Sequence, residues 1–459
     1  MSEPRTYSHP RSLFGPLVLT ALGVLLLLHT TGKISHQTLL VGFARYWPLI
    51  LILWGAIKLV EHSWARKSGY AARGIGAGSV VFLIFFIMCG LAASAVLKWG
   101  AYFDIDDNWE DSSFFGTQHE FTENLSQPIQ AGAAVKVVGG RAYIKITASP
   151  DNQVHLFVHK YVRTESQNEA TQLNDSTHPK FEQQGDTLVL EMVSGDFERG
   201  RFDLDLQVPR SSPVFVTTRR GDIHVFQRDK DVELESRHGN LSVEQVKGNT
   251  TLRLRNSAIT VWEGDVTVRN VSGNVSVDGA INHSTVSDIG GTVTFTGSYA
   301  GDVRLSNIAG QLNFKSAQTG LRLAKLDGTL TMDRGDFRGN SITGPLWIDT
   351  HAKNINLKDV GGEINIQDTR GSIEVHTTAS LGIVDITNRA GEINFNVPER
   401  ANFQVEAESD NGRIMSDFQL NVNNEHQNAT ASGIVGKGGP QIHLTAKQGT
   451  IQIRKEPAR

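Results

Sequence analysis

Cysteine is nearly absent: the 459 residues contain one, Cys89, and it lies inside an apolar run. No intramolecular disulfide can staple the chain, so any part that reaches an oxidising compartment must hold together by packing alone. An excess of positive charge is missing too. The formal net charge is −4, unevenly spread: residues 1–100 carry nine Lys or Arg against two Asp or Glu, and the remainder carries 35 against 46. So acidic a body lacks the cationic stripe that phosphate binding needs, which excludes nucleic acid as a partner. Catalytic and metal signatures are absent as well, with no nucleophile elbow and no zinc spacing. Outward acidic residues such as Glu363, Glu374, Asp385 and Glu392 recur as generic solvated positions, not as paired carboxylates beside Arg or Lys. No catalytic, cofactor-binding or metal-binding residue is assigned, no cofactor is expected, and the chain reads as a non-enzyme.

Long hydrophobic runs are confined to the first hundred residues. They read LFGPLVLTALGVLLLLH (Leu13–His29), WPLILILWGAIKLV (Trp47–Val60) and SVVFLIFFIMCGLAASAVLKW (Ser79–Trp99). These predict three apolar helices, about 13–31, 45–60 and 79–99, in a transmembrane region spanning 1–100. A bilayer crossing takes about 20 residues and no fewer than about 17. The first and third runs meet that length. The second does so only by drawing in Arg45 and Tyr46 and letting Lys58 snorkel, so a spanning helix and a re-entrant hairpin both stay open. No small-x-small cleavage site follows the first run, which reads as a retained anchor. Arg5 and Arg11 precede it, and Arg66, Lys67 and Arg73 follow the second run, whereas the intervening loop has only Lys33 with Arg45 at its edge. The positive-inside rule then puts the N-terminus and the 61–78 loop in the cytoplasm and everything after Trp99 in the periplasm or outside the cell. Trp47, Trp99 and Tyr102 suit an aromatic belt at the outer interface.

Beyond the membrane region, residues 101–129 read as an acidic juxtamembrane linker. Its Asp104–Asp111 stretch (DIDDNWED) lacks the mid-loop glycine and distal glutamate of a calcium loop. Residues 130–210 predict an irregular β lead-in, with period-two alternation through Val135, Val137, Tyr143/Ile144 and Ile146, then Val154, Leu156 and Val158. A polar loop is expected at about 164–187, and Pro209 ends the strand Phe202–Val208 by removing a ladder donor.

From 211 to 455 the unit Gly-x-apolar-x-apolar recurs, as in Gly221-Asp-Ile223-His-Val225, Gly239-Asn-Leu241-Ser-Val243 and Gly449-Thr-Ile451-Gln-Ile453. Its glycines are mostly 9 or 18 residues apart, as from 264 to 273 and 273 to 291. Glycine supplies a positive-φ corner, the next polar residue starts a strand, and two apolar residues spaced by two enter a shared core. One strand of five residues cannot bury its face alone, but stacked coils can. The fold class is therefore all-β, a single-stranded β-helix or solenoid behind a helical transmembrane region. Two or three nine-residue units per coil are equally compatible with the spacing.

Two resemblances emerge from these residues. Phe14-Gly15-Pro16, Gly23 to Leu27 and Arg45-Tyr46-Trp47-Pro48 resemble the two-helix module of Lia-type bacterial envelope-stress membrane proteins, over roughly residues 10–62. That resemblance implies a membrane anchor tied to regulation of stress signalling. Phe202 to Pro209, Val214 to Thr218 and the glycine units from Gly221 onward are similar to a bacterial family of adhesin-like β-strand repeats, over roughly 130–455. Its name implies adhesion at the cell surface, and it defines no functional residues to carry over.

Several smaller motifs have plain structural readings. Arg220-Gly221-Asp222 coincides with a repeat corner, and Arg334-Gly335-Asp336 would matter only at a loop tip. His155 and His159 would stand about 13 Å apart on one strand face, too far for one metal. Arg73 to Gly78 has three glycines but no preceding strand, so it is no phosphate cradle. The sequons at Asn240, Asn270, Asn274 and Asn428 follow from the outward Asn and Ser/Thr positions. The Asn-rich stretch 421–428 and the cluster Gly436–Gly439 interrupt the repeat near its end, where a cap against edge pairing is expected. The sequence thus points to a membrane-anchored, exported structural or adhesin-like interaction protein, with envelope polysaccharide, another protein or a second copy as partner. An envelope-stress regulator whose membrane module contacts a sensor kinase is the alternative.

Overall fold

Apolar side chains at every second position leave the chain on one side and polar ones on the other, which makes a strand with one wet face. The computed structural model describes residues 46–52, 54–55, 83–84, 86–91, 117–164, 166–193, 200–255, 264–425 and 428–457. The chain divides into two units, Met1–Thr117 and Gln118–Arg459. In the first unit the described residues between 46 and 91 are helical, in the second and third predicted helices. Gly90 is buried under the Trp47 indole, where a Cβ would come within 2.4 Å of the ring. Among the described residues no helix is long and apolar enough to cross a membrane. The first apolar run, the 61–78 loop and Asp104–Asp111 lie outside the described residues.

The second unit begins earlier than the linker expectation allows. Strand β1 (Thr117–Pro128) occupies the end of the segment read as a linker. It is tied in by Lys160 of β3 (Gln153–Thr164), which is 1% exposed and pairs with Glu123 at 2.9 Å. The polar stretch expected as a loop at 164–187 is also ordered. It holds helix α1 (Gln167–Asp175) and β4 (His178–Gln184). Ser166 caps that helix by accepting the Glu169 N–H at 3.3 Å, and β4 pairs antiparallel with β5 (Thr187–Val193), placing Phe181 opposite Leu190. Local capping and a pairing partner, neither visible in composition, override the polar content.

From β7 (Val214–Arg220) to β17 (Leu312–Lys315) the chain alternates between two strand columns. The first takes β8 (Ile223–Arg228), β10 (Leu241–Val246), β12 (Val266–Val271), β14 (Ser284–Ile289) and β16 (Val303–Ile308). The second takes β7, β9 (Val232–Ser236), β11 (Thr250–Leu254), β13 (Val275–Ile281), β15 (Val293–Tyr299) and β17. Within a column each strand pairs in parallel with the next but one in sequence, so Ile223 aligns with Leu241 and Val275 with Val293. Two nine-residue units therefore make one coil of this solenoid-like domain. The inward residues are fully buried and form one continuous core.

Corners are made in two ways. Gly239 has φ +127°, and a Cβ there would lie 2.4 Å from the Gly221 carbonyl of the coil below. A second row of corners is not glycine at all. Gln227, Gln245, Asn270, Asp288, Asn307, Ser341 and Asp359 all adopt φ between 51° and 59°. This bend turns the following residue inward, which is how Val246, Val271 and Ile289 enter the core after two outward residues.

The parallel stacking expected for 211–455 is interrupted at β18 (Thr319–Met332) and again near its end, where β26 (Asn428–Val435) runs antiparallel to β23 (Phe403–Asn411). Strand β18 runs antiparallel to β16 and β17 on one side and to β19 (Asp336–Thr350) on the other. Two tight turns cause this. The Ser316 hydroxyl accepts the Thr319 N–H at 3.0 Å, and one Asp333 carboxylate oxygen accepts the N–H groups of Gly335 and Asp336, both at 2.7 Å. From β18 onward β19, β20 (Asn354–Asp368) and β21 (Ile373–Asn388) each cross both columns.

Neither end of the stack follows chain order. β2 (Ala134–Ala148) lies between β5 and β6 (Gly200–Val208) on one side and β7 and β8 on the other. At the opposite end β27 (Gln441–Gln448) lies between β21 and β23 (Phe403–Asn411), and β28 (Ile451–Glu456) between β22 (Ile393–Pro398) and β24 (Ile414–Ser416). The final repeat unit is thus interior. The outermost pair of the second column is the hairpin of β25 (Asn421–Glu425) and β26 (Asn428–Val435), which contains the Asn-rich stretch.

Candidate interaction surface

Outward positions in the middle of the first column are mostly small and polar, among them Ser242, Thr267, Thr285 and Ser287. The end formed by β3, β6, β2 and β8 differs. There β3 presents His155, Phe157, His159 and Tyr161, β6 presents Arg201, Asp203, Asp205 and Gln207, β2 presents Tyr143 and Lys145, and β8 presents His224 and Phe226. Register sets them in rows: Phe157 opposes Asp205, which aligns with Lys145 and then His224, while His159 opposes Asp203, which aligns with Tyr143. Phe157 is 45% exposed and Tyr143 39%.

The rings are held in place by their neighbours. The Tyr143 hydroxyl and His224 Nε2 are 2.8 Å apart, and His224 stacks parallel to Phe226. His159 stacks on Tyr161 at 4.4 Å between centroids, and the Arg201 guanidinium lies over Tyr161 at 4.7 Å while pairing with Asp203 at 3.2 Å. Partial burial, and then the Asp222 and Asp203 carboxylates, push the Tyr143 hydroxyl above its ordinary pKa. Partial burial and Asp203 do the same to Tyr161. Both phenols stay protonated hydrogen-bond donors at neutral pH.

Behind this surface Arg228 is fully buried. Its guanidinium donates to the carbonyls of Val208 (2.7 Å), Pro209 (3.1 Å) and Thr147 (3.3 Å), locking the ends of β2 and β6 to β8. Burial, with the charge of Arg210, lowers its pKa to about 10 against the opposing pull of Asp229. It remains charged at neutral pH.

His155 and His159 lie on this surface but take separate partners. His155 meets Asp151 and Ser126, both at 2.9 Å, and His159 meets Glu120 at 3.2 Å. Among the described residues no group of His, Cys, Asp and Glu is arranged to hold a metal ion. Asp222 of the first Arg-Gly-Asp accepts the Asn240 N–H at 2.7 Å, and the second tripeptide does occupy a turn, with Asp336 engaged by Arg338 and by Asn354 at 3.2 Å. The sequon residues have structural roles: Asn240 and Asn274 accept N–H groups of the next coil, Asn270 takes a left-handed corner and Asn428 pairs with Glu425. Glu363 and Asp385 are exposed on β20 and β21, and Glu392 is exposed just ahead of β22. Glu374 lies 3.2 Å from His376, which also meets Glu456 at 2.5 Å. That cluster was hidden from the sequence because Glu456 is 80 residues away.

Comparison with known families gives two matches. Residues 144–454 match Toastrack DUF4097, more than half of the chain. The chain belongs to the Toastrack DUF4097 family. Residues 13–59 match the LiaI-LiaF-like transmembrane region, ahead of the Toastrack domain. No curated protein matches the chain. One solved structure it resembles is a candidate cell adhesion protein from Clostridium sporogenes, at 11% identity over 73% of this chain and 100% of that one. The TM-score is 0.14, so this likeness carries no argument. A Toastrack domain joined to a LiaI-LiaF-like region fits a membrane-associated envelope protein.

Proposed function

We propose that this chain is a non-enzymatic interaction protein of the cell envelope, anchored in the cytoplasmic membrane by its first hundred residues and displaying the Toastrack domain, as a single-stranded β-solenoid, on the far side. The observation that carries the reading is the union in one chain of a LiaI-LiaF-like membrane region and a Toastrack domain with an aromatic-rich end. The basic residues around the apolar runs support an N-terminus inside the cytoplasm. Coils locked by parallel ladders give a stiff scaffold whose outward side chains can change without disturbing the core. Protease protection in intact spheroplasts tests the placement. Cleavage of the second unit from outside, with residues 61–78 protected, is expected; the reverse pattern overturns it. Cross-linking in intact cells then reads the partner class.

The LiaI-LiaF-like match favours a second reading, in which the membrane region regulates a sensor kinase. Co-purification of a histidine kinase with residues 1–100 alone, independent of the Toastrack domain, would favour it.

A further inference from the structure

We infer that the aromatic end of the first column is a binding platform for a neutral polysaccharide chain. The inference rests on the proposed envelope placement and names the ligand class of the surface described above. Tyr143 and Phe157 are exposed rings on strands separated by β6, and two register positions apart along them. With strands about 4.8 Å apart and a rise of about 3.3 Å per residue, their Cα atoms stand roughly 12 Å apart. That span seats a short run of sugar rings, not a single one. A pyranose presents a face of C–H groups, which pack on an aromatic ring, and an equatorial rim of hydroxyls, which need acceptors and donors. Between the two rings β6 supplies Asp203 and Asp205, with Gln207 in the next row beyond Phe157, and the phenol of Tyr143 offers a polar tip.

Charge selects among glycans. The acidic groups Asp203, Asp205, Asp222 and Glu120 outnumber Lys145 and Arg201 on and beside this surface. A polyanionic polymer is repelled there, while a neutral or N-acetylated one is not. The location is also selective: the same outward column carries Ser242, Thr267 and Thr285 further along, with no rings. The Tyr143 ring, tied through its hydroxyl to His224, is pre-organised, so little ordering cost accompanies its contact with a sugar.

The test titrates the full chain in detergent with chitohexaose, a neutral N-acetylated oligomer, and with an oligogalacturonate of equal length as the acidic probe. Saturable binding of chitohexaose is expected, weaker by about tenfold or more in Phe157→Ala and in Tyr143→Ala, with the acidic oligomer weaker than the neutral one. Tyr143→Phe keeps the ring and retains most of the affinity, and Thr285→Ala leaves it unchanged. Circular dichroism checks that each variant keeps its strands. The proposal is overturned if the folded full chain binds no neutral oligomer, if both ring variants stay within about twofold of the original affinity, or if Thr285→Ala weakens binding equally. Failure here leaves the envelope placement intact when the protease pattern holds. The reverse pattern removes the placement whatever the titration shows.

Discussion

Asp222 and Asn240 occupy the same corner of successive coils, and the Asp222 carboxylate accepts the Asn240 backbone N–H at 2.7 Å. The relay continues upward, because Asn240 Oδ1 accepts the Asp265 N–H at 2.7 Å and Asp265 accepts that of His283 at 3.0 Å. A parallel relay runs up the other column through Asp231, Asn249, Asn274 and Thr292. Each corner amide would otherwise be left outside the ladder. Asn240→Ala should therefore destabilise the domain by about 1 kcal/mol, seen as a lower urea midpoint. Ser242→Ala, two residues on at an outward position, should stay within about 0.5 kcal/mol of the parent. Equal effects would show that the relay contributes nothing.

Arg228→Met keeps much of the volume but removes the donors to Val208, Pro209 and Thr147. Orphaned buried carbonyls cost about 1–3 kcal/mol each. The expected loss is at least about 3 kcal/mol, read as a fall in the denaturant midpoint, with Arg228→Lys intermediate because an ammonium reaches fewer acceptors.

Asp368 is 5% exposed and accepts the Thr350 hydroxyl at 2.7 Å. Burial, the largest influence, raises its pKa above the ordinary carboxylate value despite that hydrogen bond. The folded state therefore holds a proton that the unfolded chain has already released. Stability is full below the unfolded value of about 3.9 and falls as pH rises through the folded pKa. Asp368→Asn should raise the thermal midpoint at pH 7, lose that advantage near pH 4, and flatten the pH dependence between them. A variant less stable than the parent at pH 7 would contradict this.

Gly391 sits between Gly371 and Gly449 in the stack, and a Cβ on it would lie 1.8 Å from the Gly371 carbonyl at φ +135°. Gly391→Ala must push two coils apart, and about 3 kcal/mol or more of destabilisation is expected. Deleting residues after 440 removes β27 and β28 and so strips β21, β22, β23 and β24 of a partner at once. Limited proteolysis should show the region after β21 digested, not trimmed at one end.

The core was legible because it is local. Ile223 and Val225, or Leu241 and Val243, declare an inward face by spacing alone, and Gly221 and Gly239 mark its corners. What escaped detection depends on single residues or distant partners. Ser316 and Asp333 reverse the chain with one side chain each. Arg228 points inward because Gln227 takes φ 56°, which breaks the alternation that would have placed it in water. Tyr143 sits beside Ile144 in an apolar run, and only the register shows that the isoleucine is buried and the tyrosine is not. The aromatic end left a usable trace: rings and imidazoles at outward positions between 143 and 226, where later coils have serine and threonine.

The interleaving of β27 and β28 sets a timetable. Strands β23 and β24 leave the ribosome before β27 and β28, the later neighbours they lean on. That end of the scaffold must therefore wait, half assembled, until β27 and β28 have been made. A nascent chain cut short loses its closing clasp, and the cell's proteases gain a built-in mark of incompleteness.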